Sequence, residues 1–361
     1  MSITSILAVS SNIQPNHWLY LAFPFVLYAT VSFVLSLVGD HGEETNLVRS
    51  FFRRISDALE RGTGYPGWAM AGVLSGLVML GMAAVGLYWD VAWHIDLGRD
   101  RELLTPSHAM IVLGLGGLIW AAGIAVVFAT NDGADVGFSL AGLRVPWSAL
   151  SLGSLGLGGL IAFPFDALWH EAYGIDVTLW SPSHLMLLGG GGLATISVWL
   201  MFAEARAQAN PTWLGKGIQI LVAGALLVGI STFQGEFDFG VPQFQLLYWP
   251  LLVVMAAGFV LVTARLVLGT GGALATAAVY ILLRGAFALL VAGSLNHTVP
   301  RFPLYLVAAV AVEVVAVTLG TKRPLRFALA AGAAISTLGL AVEVAFAGAS
   351  GWFSPNAALL G

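Results

Sequence analysis

Two aspartates and four histidines of this chain fall into one repeated spacing. Asp90, His94 and His108 follow the pattern D-x3-H-x13-H, and Asp166, His170 and His184 follow it again. An aspartate and a histidine four residues apart project from one face of a helix. Thr105 and Pro106 then read as the N-cap and first position of the next helix, as do Ser181 and Pro182 in the second stretch. A helical hairpin of this kind returns His108 to Asp90 and His94, and His184 to Asp166 and His170. Two imidazoles and one carboxylate on converging helix ends suit a transition metal that keeps open coordination positions. The same groups without a metal serve as helix caps and mutual ion pairs.

The repetition extends past these six residues. At an offset of 76 positions (166 − 90), residues 90–116 and 166–192 share 12 identities in 27 without a gap. Such agreement predicts an internal tandem duplication, and repeats in membrane proteins commonly place the functional site where they meet. Trp93 and Trp169 precede the first histidine of each copy, and Gly98-x-Asp100 and Gly174-x-Asp176 lie in the connections. Asp100 and Asp176 are placed to accept a hydrogen bond from a ligating imidazole, or to form a Gly-Asp turn. The two tryptophans either back the ligands or belong to an interfacial aromatic belt.

The elements that must carry these residues are transmembrane helices. Of 361 residues, 58% are hydrophobic and 9% charged, and the mean hydropathy is +0.88; a soluble domain carries roughly 25% charged residues. A span needs about 20 apolar residues. Ten segments qualify, near 18–38, 68–94, 106–129, 147–170, 183–205, 214–233, 246–267, 271–293, 303–320 and 325–348. The expected fold is all-α, a polytopic transmembrane helical bundle of about ten spans with an internal tandem duplication. Its divisions are residues 1–67, a first span plus an amphipathic inner-surface segment; 68–210, the duplicated hairpins; and 211–361, a C-terminal bundle. Within the first division, Leu47, Phe51, Phe52, Ile55 and Leu59 form an apolar stripe opposite arginines, the pattern of a helix lying on a membrane surface. The first span has neither a basic n-region nor a cleavage site, so it reads as retained.

Basic residues orient the chain. With the N-terminus outside, inner connections hold Arg49, Arg53, Arg54, Arg61, Arg144, Arg206, Lys216, Arg265, Lys322, Arg323 and Arg326, and outer ones only Arg99, Arg101 and Arg301. The positive-inside rule then puts both termini and both Asp/His/His motifs on the outer side of the cell membrane. Cysteine is absent and the net charge is -4, which removes thiolate chemistry and disulfides and speaks against a nucleic-acid partner. The glycine runs at 113–118 and 187–193 lie within apolar spans and lack a P-loop Lys-Ser/Thr, so they read as close helix packing.

The paired D-x3-H-x13-H spacings resemble the tandem intramembrane metal motifs of the C subunit of the copper membrane monooxygenases, the particulate methane and ammonia monooxygenases. In that family one copy carries Asp, His, His and the other Asn, His, His. The resemblance covers residues 70–200 and implies that Asp90, His94 and His108, and likewise Asp166, His170 and His184, are copper ligands. Both copies here keep Asp, which favours a divalent or dinuclear occupancy.

Copper is thus the expected cofactor, with iron and zinc as alternatives, and no catalytic residue is assigned. The leading expectation is a copper-dependent oxidase or monooxygenase component acting with O2 on a small apolar substrate that arrives from the lipid bilayer. Other membrane subunits or a homo-oligomer are its expected partners. A metal-ion transporter or metal-handling protein is the rival, and a structural or haem-associated subunit the third reading. Further on, residues 231–244 and 291–302 both end in Val-Pro-x-Phe, so Glu236, Asp238, Asn296 and His297 are assigned to a cavity over the metal sites or to ordinary helix ends. Glu313 and Glu343 are expected to pair with Arg284, with proton conduction as the functional alternative.

Overall fold

The computed structural model describes residues 47–98, 105–174, 178–240 and 245–352, together with Val26, Ala29 and Thr30. Helix α1 (Leu47–Thr63) is followed by α2 (Gly67–Leu97) and α3 (Pro106–Asn131), strands β1 (Phe138–Leu140) and β2 (Leu143–Val145), then α4 (Trp147–Tyr173), α5 (Pro182–Gly192) and α6 (Ala194–Ala205). Next come α7 (Trp213–Ser231), the one-turn α8 (Gly235–Asp238), α9 (Tyr248–Leu268), α10 (Gly272–Leu289), α11 (Leu306–Leu319), α12 (Pro324–Ala334) and α13 (Leu340–Ala349). Among the described residues, eight helical stretches are long and apolar enough to cross a membrane, with α5–α6 and α12–α13 each forming one stretch. Helix α11 has 14 residues, short of the length a bilayer needs. The expected span at 18–38 lies outside the described residues except for Val26, Ala29 and Thr30.

The chain divides into two compact units. The first comprises Met1–Gly86 and Glu102–Lys216, the second Leu87–Arg101 and Gly217–Gly361; the last turns of α2 are therefore counted with the second.

In the first unit the glycine runs let helix backbones touch. A Cβ on Gly190 of α5 would stand 2.5 Å from the Cα of Gly159 on α4, and one on Gly114 of α3 2.7 Å from the Cβ of Ala83 on α2. No side chain fits either crossing, and this close approach is what small residues provide where no water drives helices together. Glu204 of α6 fixes the start of α4. Its carboxylate accepts from the backbone N–H groups of Trp147 and Ser148, at 2.8 and 2.9 Å, and from the Ser148 hydroxyl at 2.5 Å. Helix α1 turns Phe52 inward, edge-on to Phe128 with ring centroids 5.2 Å apart, while Phe51 stays exposed. One departure from the all-helical expectation is the antiparallel pair β1–β2, with Phe138 opposite Val145. Its turn residues Ala141 and Gly142 both have positive φ, 49° and 80°, as the commonest two-residue hairpin turns require.

In the second unit, two carboxylates sit against helix starts, where backbone N–H groups lack intrahelical partners. Glu313 of α11 accepts from Gly271 and Ala273 at the start of α10, and forms an ion pair with the Arg265 guanidinium at 2.8 Å. Glu343 of α13 accepts from Leu304 and Tyr305 at the start of α11. Neither glutamate pairs with Arg284, whose partner is Asp238 at 2.6 Å. Unsatisfied N–H groups in an apolar surrounding outcompeted the distant cation. Two π-helical turns, Leu290–Ser294 and Ile335–Gly339, interrupt the spans of this unit.

Candidate metal centres

The second Asp/His/His motif gathers. Asp166, His170 and His184 each offer a ligand atom within 4.8 Å of the others, while of the other set Asp90 and His94 stand on α2 and His108 at the start of α3. The second set lies wholly within the first unit, and its construction can be followed atom by atom.

Asp166 and His170 stand one turn apart near the end of α4, with His170 Nδ1 3.7 Å from Asp166 Oδ2. The segment Ser181-Pro182-Ser183-His184 supplies the rest. Ser181 caps α5 by accepting the backbone N–H of His184, and Pro182 takes the first helical position, where its missing N–H costs nothing. Ser183 then donates its hydroxyl to Asp166 Oδ1 at 2.6 Å, which fixes the carboxylate. His184 places Nε2 at 3.2 Å from the same oxygen.

The other nitrogen of His184 decides what this contact means. Nδ1 lies 2.7 Å from the carbonyl oxygen of Thr178, which can only accept, so Nδ1 carries the proton. In the neutral ring, Nε2 therefore turns a lone pair toward an anionic oxygen. Two acceptors so close require a proton, on the imidazole or on the carboxyl, or a metal ion between them. The pattern of one ring nitrogen tied to a carbonyl and the other left to ligate is how proteins prepare histidine for metal.

Distances fit a metal. Ligands at about 2.0–2.2 Å from one ion stand about 3.3 Å apart in tetrahedral geometry and at most about 4.3 Å apart. Around Asp166 the 3.7 Å separation lies within that range and the 3.2 Å separation just below it. His184 is 8% exposed, and the rings of His170 and His184 meet edge-on at 5.6 Å.

The first copy repeats the local devices. His94 Nδ1 is 3.5 Å from Asp90 Oδ2. Thr105 caps α3 by accepting the backbone N–H of His108, and its hydroxyl lies 3.0 Å from that of Ser107.

Asp100 and Asp176, expected to support the imidazoles, lie outside the described residues; for His184 the Thr178 carbonyl does that work. Trp93 packs beside Trp89 and the ring of His297, at 6.4 and 5.6 Å, and Trp169 beside Phe165 and Tyr173, at 6.2 and 4.4 Å. His297 Nδ1 contacts Asp96 Oδ2 at 2.9 Å, and the same carboxylate takes the backbone N–H and hydroxyl of Thr298. Asn296 adopts a positive φ of 57°. Glu236 and Asp238 are buried in α8.

Sequence reasoning passed over Ser183 and Thr178. Ser183 had a signal: a serine stands at the matching position of both copies, Ser107 and Ser183. Thr178 had none, because its backbone and not its side chain takes part. No family model, curated protein or solved structure matches the chain.

Proposed function

We propose that this chain is an integral membrane metalloprotein whose two Asp/His/His sets bind a transition metal, copper by the motif resemblance, within an oxidase or monooxygenase. The observation that carries the metal reading is the face-to-face approach of His184 Nε2 and Asp166 Oδ1 at 3.2 Å, with Nδ1 already committed. In the second set His170, His184 and Asp166 would hold the ion, and in the first His94, His108 and Asp90. Copper bound there supplies redox chemistry and open positions toward O2. The chain's own residues do the rest. Ser183 keeps the Asp166 carboxylate turned inward, and the Thr178 carbonyl keeps the His184 lone pair directed at the ion.

The reaction class is oxygen insertion into a small apolar substrate delivered from the bilayer. One atom of O2 enters a carbon–hydrogen bond and the other leaves as water, with two electrons and two protons from an external reductant. Both motifs lie on the outer side by the distribution of Arg and Lys. Membranes carrying the copper-loaded chain, given a reductant, 18O-labelled O2 and a short alkane, should yield labelled alcohol, and those carrying the His170→Ala/His184→Ala variant markedly less. Vesicles that take up copper across the bilayer through the chain, with no labelled product, would instead assign it to metal transport.

A further inference from the structure

The second unit encloses a group of buried polar atoms that the metal reading leaves unused. Asp238 and Arg284, both almost without exposure, pair at 2.6 Å between Oδ2 and Nη2. Arg284 Nη2 also donates to the carbonyl of Arg301, and Tyr88 brings its hydroxyl to 3.4 Å from the same Asp238 oxygen. The guanidinium carbon lies 4.0 Å from the Tyr88 ring centre and 5.3 Å from that of Phe302. Tyr280 sits one turn before Arg284 on α10, its ring 6.0 Å from Phe302 and 5.1 Å from Tyr305. Gln234 is four residues before Asp238.

Among the described residues, Asp238 Oδ1 and Arg284 Nε and Nη1 have no hydrogen-bond partner, and the Tyr280 hydroxyl and the Gln234 side-chain amide make none of good geometry, although Ser231 stands beside the former and Tyr305 beside the latter. Buried polar groups are satisfied almost without exception, by protein or by bound water. A cluster of four such side chains in one place therefore points to a ligand. Its chemistry can be read from what is left open. The unfilled donors are the guanidinium, amide and phenol N–H and O–H groups, and the unfilled acceptors are a carboxylate and an amide oxygen. The occupant must both donate and accept. It must also be neutral, because Asp238 and Arg284 cancel one another and a further charge would stand unbalanced among apolar spans.

We propose that Gln234, Asp238, Tyr280 and Arg284 form a binding site for a cluster of internal water molecules within the spans of the second unit. Water is neutral, has both donor and acceptor capacity, and needs 2–4 polar partners in a buried position. The site hydrates an ion pair that apolar helices could not otherwise hold charged. It is independent of the Asp/His/His sets.

Hydroxyl-radical footprinting with brief X-ray pulses tests it, since radicals generated from bound water label the side chains beside that water whatever their exposure to bulk solvent. Tyr280 and Phe327 are both fully buried in the second unit, and only Tyr280 borders the proposed water. After normalisation to the denatured chain, Tyr280 should be labelled several-fold faster than Phe327. Equal, slow labelling of the two would overturn the proposal. A charge-neutral Asp238→Leu/Arg284→Met variant that elutes as folded protein should bring Tyr280 down to the Phe327 rate. If that variant kept the fast rate, water would not be held by the pair, and the assignment would also fail.

Discussion

The two copies of the motif share their ligands and the caps of their returning helices, and they differ in a contact made further along the first helix. In both, an aspartate and a histidine stand a turn apart, at 3.5 Å in the first copy and 3.7 Å in the second, and a hydroxyl residue caps the returning helix. Six positions further along the first helix of each copy, the repeat breaks: Asp96 in one corresponds to Ala172 in the other. Asp96 is gripped by His297 and Thr298, some two hundred residues downstream. The alanine has no group with which to make such a grip. In the second copy Ser183 holds Asp166 and the Thr178 carbonyl holds His184, both from within the same hairpin. Identical ligand spacing therefore tolerates a difference in the contacts made beyond the ligands.

Removing a local support should act on one copy alone. Ser183→Ala frees the Asp166 carboxylate and, by the usual cost of losing a hydrogen-bonded support to a ligand, should weaken metal binding at the second set by roughly 10–100-fold. Metal titration of the detergent-purified variant, with the first set intact as internal reference, measures this. An equal loss at both sets would mean that the copies do not bind separately.

The long-range support gives the converse test. Asp96→Asn weakens the charge-assisted contacts to His297 and Thr298 and should loosen the end of α2. The expected result is a few-fold loss of affinity confined to the first set, smaller than the Ser183→Ala effect because Asp96 touches no ligand directly. Unchanged affinity at the first set would show that the grip serves stability only.

Away from both copies, Asp132 at the end of α3 accepts the Ser56 hydroxyl at 2.5 Å. Removal from water is the largest influence on its carboxyl, and with Asp57 and Glu60 nearby it holds the pKa above the ordinary value despite the hydroxyl. A folded-state pKa above the unfolded one makes stability greatest in acid, with loss as pH rises through the raised value. Asp132→Asn keeps the acceptor and removes the charge. It should match the parent near pH 4 and exceed it slightly at neutral pH, by less than about 1 kcal/mol after solvent screening. Thermal unfolding at the two pH values checks the sign, and metal content should not change at all.

Much of this arrangement was legible in the sequence because it is local. The long apolar segments announce helices, the Thr-Pro and Ser-Pro starts announce caps, and the i,i+4 spacing puts Asp166 and His170 on one face. Crowding at Gly159 and Gly190 bears out the reading of the glycine runs as packing surfaces. What was not legible depends on backbone atoms and distant partners. Glu313 and Glu343 were expected to seek Arg284, yet both took the unpaired N–H groups of helix starts, which carry no side-chain signature. The partnership of Asp96 with His297 closes over a separation that spacing rules do not reach. The β1–β2 hairpin was missed because its strands are three residues each, too short to display an alternation.

The most direct test of the central claim is elemental analysis of the purified chain beside its His94→Ala/His108→Ala/His170→Ala/His184→Ala variant, with circular dichroism to show that both remain helical. The parent should carry a transition metal and the variant should have lost it. A folded variant that retained the parent's metal content would contradict the metal assignment, and the six motif residues would then be helix caps and ion pairs.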